Sequence, residues 1–468
     1  MHPPHAEPVL TVAQMRAAED AAIASGVSAR ELMDRAGEGA AQWIWRMAAG
    51  RPVTVLCGPG NNGGDGYVIA EWFRRRGTDV AVIAPMEPGT DEAKAARDAF
   101  DAPVATEAGE RTGGVFVEAL FGVGLSCPLS DDLAATIERL RAVHDQTVAI
   151  DVPSNIDSDS GECLGPVAQC DLTLALGARK RAHALMPARA FMGDVRCVGI
   201  GLDLADAGRG GRTLARPVLA GPGPTSHKYT RGLLAIVGGA MAGAGLLASE
   251  AAMRAGAGYV KLLAPHSHPA APAALVLEEG DVSRALEDSR IDALLVGPGL
   301  GRDDTARVRL AAALATGKPL VLDADALALL GPSDLTGRTA PLIVTPHEGE
   351  LATLEKAFGL AGDGSKPERA QALARALSGI VVAKGPDTVI AFGTDLVFAL
   401  PASPWLSTAG TGDVLAGVIA SRLAHHGDGL RAAEEGVAIH SHGARTLGAA
   451  FTADELALAI GRSVAALS

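Results

Sequence analysis

One local pattern recurs through both halves of the chain: a short apolar run, ended at once by glycine or a polar residue, then an amphipathic stretch. In the first half the runs are Val53–Cys57, Val80–Ile83, Val115–Ala119, 148–150 and Leu172–Leu176, separated by helical stretches such as 67–75 and 131–144. In the second half they are Leu233–Val237, Ala293–Val296, Leu320–Leu322, Leu342–Val344 and Ile380–Ala383. Apolar strands alternating with helices predict parallel sheets covered on both faces. Ligands of such sheets sit at the carboxyl ends of the strands. The residues just after each run are therefore the ones to read for chemistry.

Composition narrows the partners. A chain of 468 residues is long enough for two domains. With 57 glycines and only 3% aromatics, it suits tight strand-to-helix turns better than base-stacking surfaces. A net charge of −13 argues against nucleic acid and leaves room for a small phosphorylated ligand in a local pocket. The N-terminus lacks a basic-then-apolar leader and no apolar run is long enough to span a bilayer, so a soluble, cytoplasmic chain without a membrane partner is expected. Cys57, Cys127, Cys163, Cys170 and Cys197 form no C-x-x-C pair, which indicates neither zinc nor a disulfide framework and fits a reducing compartment. Residues 11–49 read as alanine-rich helix capped by Thr11, with Arg16, Glu19 and Asp20 facing water. Glycine and proline rise over 207–226 while periodicity vanishes, so the chain is divided into residues 1–215 and 216–468.

Two strand ends of the first half carry unusual residues. After Val53–Cys57 comes G-P-G-N-N-G-G-D-G, residues 58–66. So much glycine reads as a loop that brings backbone close to a ligand. It is neither a dinucleotide fingerprint nor a Walker loop. After the fourth run comes Asp151-Val152-Pro153-Ser154-Asn155. An acid there suits catalysis or the gripping of a ribose.

In the second half, G-P-G-L-G, Asp323-Ala324-Asp325, T-P-H-E-G-E and K-G-P-D-T follow successive runs, implying one cleft lined by loops. Its floor is S-T-A-G-T-G-D-V-L-A-G, residues 407–417, where Gly410, Thr411 and Gly412 precede Asp413 and an apolar helix. Glycines at a helix start aim N–H groups at one point, which the macrodipole makes attractive to an anion. A carboxylate beside that hole suits a base that strips a hydroxyl while the hole holds the phosphoryl group being attacked. The small residues of 241–260 predict a closely packed helix.

The nine-residue run, F-G-V-G at 121–124, D-V-P-S at 151–154 and A-R-K-R-A-H at 178–183 resemble the NAD(P)H-hydrate epimerase family (the YjeF N-terminal domain). That resemblance implies substrate contacts from Asn61, Asn62, Gly63, Gly64, Asp65, Gly122, Val123, Gly124, Leu125, Ser126, Cys127 and Pro128, with Asp151 catalytic. It also implies K⁺ held by Asn62, Glu118 and Ser154. Glu118 stands where the family has Asp, and Asn155 where it has Gly. Lys180 reads equally as a solvated charge in an Arg-Lys-Arg run or as a functional lysine.

From about His227 onward, H-K, G-P-G-L-G, D-A-D-A-L, T-P-H-x-G-E, K-G-P-D-T and G-T-G-D resemble the ADP-dependent NAD(P)H-hydrate dehydratase family, within the ribokinase-like superfamily. Here the resemblance implies substrate contacts from Ala244, Gly299, His347 and Asp413. Nucleotide contacts would come from Lys384, Gly385, Pro386, Asp387, Thr388 and Gly412. The expectation is an α/β chain: a Rossmann-like three-layer sandwich, then a ribokinase-like domain. It would be a bifunctional enzyme that epimerises hydrated NADH and NADPH and dehydrates the S form with ADP, K⁺ serving the first domain and Mg²⁺ the second. A homo-oligomer is expected from the small-residue helices. The alternative is a ribokinase-like small-molecule kinase fused to a nucleotide-binding module.

Overall fold

The structure, a computed structural model, describes residues 5–204, 211–266 and 268–468, so the start of the chain and part of the expected joint (207–210) lie outside the described residues. The chain divides into two compact units: Glu7–Arg212, and Thr213–Ser468 together with the N-terminal residues before Glu7.

In the first unit, beside a short parallel pair of Val9–Leu10 with Arg179–Lys180, the strands of the main sheet are β1 (Val53–Cys57), β2 (Val80–Ile83), β3 (Val104–Ala105), β4 (Val115–Ala119), β5 (Gln146–Ile150), β6 (Leu172–Leu176) and β7 (Asp194–Val198). They form one sheet ordered β3-β2-β1-β4-β5-β6-β7, parallel throughout. β1 and β4 are buried along their whole length, as continuous apolar runs require when both faces are covered. Order reverses at β1, and the ends of β1, β4 and β5 meet there.

The nine-residue run is not the loop that the sequence predicts. Only residues 58–60 are loop, and helix α1 (Asn61–Arg74) starts six residues earlier than the apolar periodicity at Tyr67 suggests. The glycines are packing residues after all. A Cβ at Gly63 would overlap the Gly58 carbonyl, one at Gly64 would lie 2.5 Å from Met33 Cε, and one at Gly66 would lie 2.8 Å from Cys57 Sγ. Glycine costs a helix about 1 kcal/mol per residue relative to alanine; here the closeness of helix to strand offsets that cost. Residues 11–49 form two helices, Val12–Ala24 and Ala29–Ala48, the first capped by Thr11 as its sequence indicates.

The second unit's strands are β8 (Arg212–Thr213), β9 (Leu233–Val237), β10 (Tyr259–Leu263), β11 (Val276–Glu278), β12 (Ala293–Val296), β13 (Leu320–Leu322), β14 (Leu342–Val344), β15 (Ile380–Ala383), β16 (Val389–Phe392) and β17 (Asp395–Phe398). Their order is β8-β17-β16-β15-β14-β13-β12-β9-β10-β11. Pairing from β11 to β15 is parallel, while β16 joins β15 and β17 antiparallel. Helix α2 (Ala242–Arg254) packs on α3 (Thr411–His426) so closely that a Cβ at Gly417 would overlap the Ala248 carbonyl. The small residues of α2 are thus used inside this unit, which removes the reason for reading subunit packing from them. Among the described residues no helix is long and apolar enough to cross a membrane.

Candidate active sites

At the end of β5, Asp151 adopts φ 64°, a left-handed conformation rare outside glycine. Its surroundings hold it there. Asp151 Oδ1 accepts from Lys180 Nζ at 2.5 Å and from the Leu176 amide at 3.1 Å, and the Asp151 carbonyl lies 2.7 Å from His183 Nε2. The Lys180 amide donates to His183 Nδ1 at 2.8 Å, so Nε2 carries the ring proton. Burial, then the Lys180 charge, pulls the His183 pKa down to about 4, keeping the ring neutral. Lys180 is 1% exposed and also donates to the Leu176 carbonyl. The solvated reading of Lys180 is therefore wrong: a basic tripeptide looks like surface, but the chain folds its middle residue inward onto Asp151.

α1 supplies the facing groups. A Cβ at Gly122 would lie 3.3 Å from Asn62 Cγ and 3.4 Å from Asp151 Oδ2, so Asn62 and Asp151 flank the same glycine. Both polar atoms of the Asn62 amide are buried without a partner. One turn on, Asp65 is buried, and its carboxyl is pushed well above the usual range by burial, then by Asp151 and Glu19, against Lys180. Glu19 does not simply face water: it is half-buried, and burial raises its pKa while Lys180 opposes. Sequence reasoning missed Glu19 and His183. The signal for Glu19 was its spacing from Met15, which packs over Gly177 on the approach to Lys180.

Residues 123–128 form an irregular segment with Gly124, Ser126, Cys127 and Pro128 exposed. Glu118 is buried, and burial raises its pKa against several hydrogen bonds. Its Oε1 accepts from Ser154 Oγ at 2.9 Å and from the Leu120 amide at 2.8 Å; Oε2 accepts from the Ser154 amide at 2.9 Å. The longer glutamate thus reaches Ser154. Asn155 takes φ 69°, a conformation that asparagine tolerates, and its amide bridges Leu129 and Pro166.

In the second unit, α3 starts at Thr411 behind Gly410, whose φ of 91° turns the chain into the helix. Asp413 lies in the first turn, where helical amides lack intrahelical partners. Burial, then the Asp323 charge, raises the Asp413 pKa to about 7, with Lys384 opposing. At the end of β13, Asp323 Oδ1 accepts from Lys384 Nζ at 2.7 Å and from Thr345 Oγ1 at 2.7 Å. Burial works against the charge on Lys384, but Asp323 and Glu350 outweigh it and raise its pKa. A Cβ at Gly412 would lie 3.4 Å from Lys384 Nζ, so the lysine stands over the helix start. Buried His440 places its Nε2 2.9 Å from the Thr411 carbonyl, fixing that turn; nothing in the sequence pattern marked it.

His347 caps the helix Glu348–Ala357, accepting from Gly349 and Glu350 amides at 3.0 and 3.3 Å, with its ring largely exposed. Glu350 Oε2 accepts from the His347 amide at 2.8 Å and lies 3.8 Å from Lys384 Nζ, tying His347 to the same cluster. Gly299, at φ 65°, lets the chain pass Met241, and a Cβ there would lie 3.1 Å from Ala244 Cβ. Gly301 donates to Asp325, another carboxylate that acts on Asp413. Asp387 is buried against Lys366, at 2.6 Å, while Gly385 and Pro386 are exposed and Thr388 Oγ1 donates to the Gly385 carbonyl at 2.9 Å.

A half-buried carboxylate and a lysine at a helix start, on the carboxyl side of a largely parallel sheet, define a ribokinase-like α/β unit. A ribokinase-like superfamily protein from Enterococcus faecalis shares that fold, at 23% identity and a TM-score of 0.50, over 56% of this chain and 97% of that one. Residues 234–464 match the family model described as NAD(P)H-hydrate dehydratase, and residues 29–182 match that of the YjeF-related protein N-terminus. Over almost its whole length the chain is similar to bifunctional NAD(P)H-hydrate repair enzymes. It is 33% identical to that of Coxiella burnetii over 92% of each chain, and 35% identical to that of Mycobacterium leprae over 91% of this chain and 90% of that one. The chain belongs to the bifunctional NAD(P)H-hydrate repair enzyme family.

Proposed function

We propose that the second unit dehydrates the S form of hydrated NADH and NADPH with ADP, and that the first unit interconverts the R and S forms. The observation that carries the first half of this reading is Asp413: a carboxyl with a pKa of about 7, in the first turn of α3, beside Lys384. In its ionised form Asp413 takes the proton of the substrate's ring hydroxyl. That oxygen attacks the terminal phosphoryl of ADP, and the bond to the AMP oxygen breaks. The amides of Gly412 and its neighbours, with Lys384, stabilise the charge spreading over the phosphoryl oxygens. The ring nitrogen's electron pair then expels phosphate, a ring proton is lost, and NAD(P)H is restored. Ala244, Gly299 and His347 would contact the substrate, and Gly385 to Thr388 the nucleotide.

Among the described residues no group of three or more acidic, His or Cys side chains is arranged to hold a metal. Mg²⁺ would arrive on the nucleotide phosphates and neutralise their charge. In the first unit the oxygens of Asn62, Glu118 and Ser154 are hard donors that suit K⁺, and the unpartnered Asn62 amide supports a ligand there. K⁺ would help to hold anionic substrate. Asp151, paired with Lys180, would move the proton that epimerisation requires, with the loop at 122–128 and residues 61–65 on the phosphates. A cytoplasmic location completes the reading.

The test is to incubate the protein with hydrated NADH and ADP while following reduced-nicotinamide absorbance and free phosphate. Recovery of both supports the reading. A stable phosphorylated product would instead make the second unit a small-molecule kinase, and no recovery would overturn the dehydratase reading.

A further inference from the structure

Resting on that reading, we infer that Lys366 is a positioning residue for the nucleotide: it straps down both ends of the turn 384–387 and cancels the charge of Asp387. Lys366 opens the helix Lys366–Leu377. A cation there opposes the helix dipole, and it is Glu368 Oε2, at 2.9 Å, that takes up the Ser365 amide at the helix start. Lys366 reaches across instead. Its Nζ donates to Asp387 Oδ1 at 2.6 Å and to the Lys384 carbonyl at 3.2 Å. The side chains of Lys366 and Asp387 are 15% and 9% exposed.

The turn lies directly over the ammonium. A Cβ at Gly385 would stand 2.5 Å from Lys366 Nζ, so the ammonium sits where a side chain at 385 would begin. Lys384 is thereby held twice: its carbonyl by Lys366 and its own ammonium by Asp323 at 2.7 Å, above Gly412. Without Lys366, the buried Asp387 carboxylate would lose its ammonium partner in the turn expected to meet a polyanion, and the carbonyl end of Lys384 would be released.

The experiment compares Lys366→Met with the wild-type full chain, reading the Kd for Mg-ADP by calorimetry and kcat and KM for ADP by dehydration. The expected result is a rise of about tenfold or more in Kd and KM, with kcat changed less than about threefold. Lys366→Met/Asp387→Asn, which removes the stranded charge, should recover a large part of the lost affinity. Unchanged Kd, or no recovery in the double variant, would overturn the inference. Circular dichroism and the melting temperature of the second unit report that the variant has folded. Should Lys366→Met fail to fold, Lys366→Gln, which is shorter and uncharged and so cannot replace the ammonium, is read in the same way; an unaltered Kd overturns the inference. Because Kd is read without turnover, a wild-type chain that binds ADP but restores no NADH would defeat the dehydratase reading and still decide the role of Lys366.

Discussion

Lys180 Nζ and Asp151 Oδ1 form a buried ion pair at 2.5 Å, with the lysine 1% exposed and the aspartate backbone at φ 64°. The pair places an ammonium directly against a carboxylate at a buried strand end. It also explains why the Asp151 backbone is held in a conformation that most residues avoid.

Removing one partner strands the other. Lys180→Met should abolish epimerisation and destabilise the first unit by about 3–5 kcal/mol. Lys180→Met/Asp151→Asn should be more stable than the single variant, though equally inactive. Chemical denaturation of the three proteins checks this.

Asp151→Ala should leave dehydration of the S form intact while consumption of a mixed-epimer substrate stalls once the S form is exhausted. A time course followed by chromatography of both epimers decides it. Complete consumption at the wild-type rate would remove Asp151 from the mechanism.

The pKa of about 7 at Asp413 sets a pH dependence. A base must be ionised, so kcat/KM for dehydration should fall as pH drops below about 7, tenfold per unit. Asp413→Asn should eliminate dehydration and leave epimerisation near normal. The sign for stability is opposite: folded Asp413 keeps its proton to a higher pH than the unfolded chain does. Its contribution is therefore full below the usual carboxylate pKa and is lost as pH rises through about 7. Asp413→Asn should raise the melting temperature at pH 8 more than at pH 5.

Gly417 has no room for a side chain against Ala248. Gly417→Ala should push α2 from α3 and cost about 1–3 kcal/mol by overpacking, read as a lower melting temperature of the second unit.

Chelating or replacing K⁺ with Na⁺ should slow epimerisation and leave dehydration unchanged. Activity assays in matched ionic strength check this. Equal slowing of both reactions would remove K⁺ from Asn62, Glu118 and Ser154.

The sequence by itself determined the two α/β units, the strand ends that bear glycine and polar residues, and Asp413 at a glycine-opened helix. Those features follow from local rules: apolar runs make buried strands, and glycine before an acid makes a helix start. Only the tertiary structure decided that Gly63 and Gly64 are helical packing residues, that Lys180 is buried on Asp151, and that Glu19, His440 and Lys366 stand at the sites. Burial and charge pairing depend on residues far apart in the chain. Lys366 meets Asp387, and Lys384 meets Asp323, through contacts that no local pattern encodes.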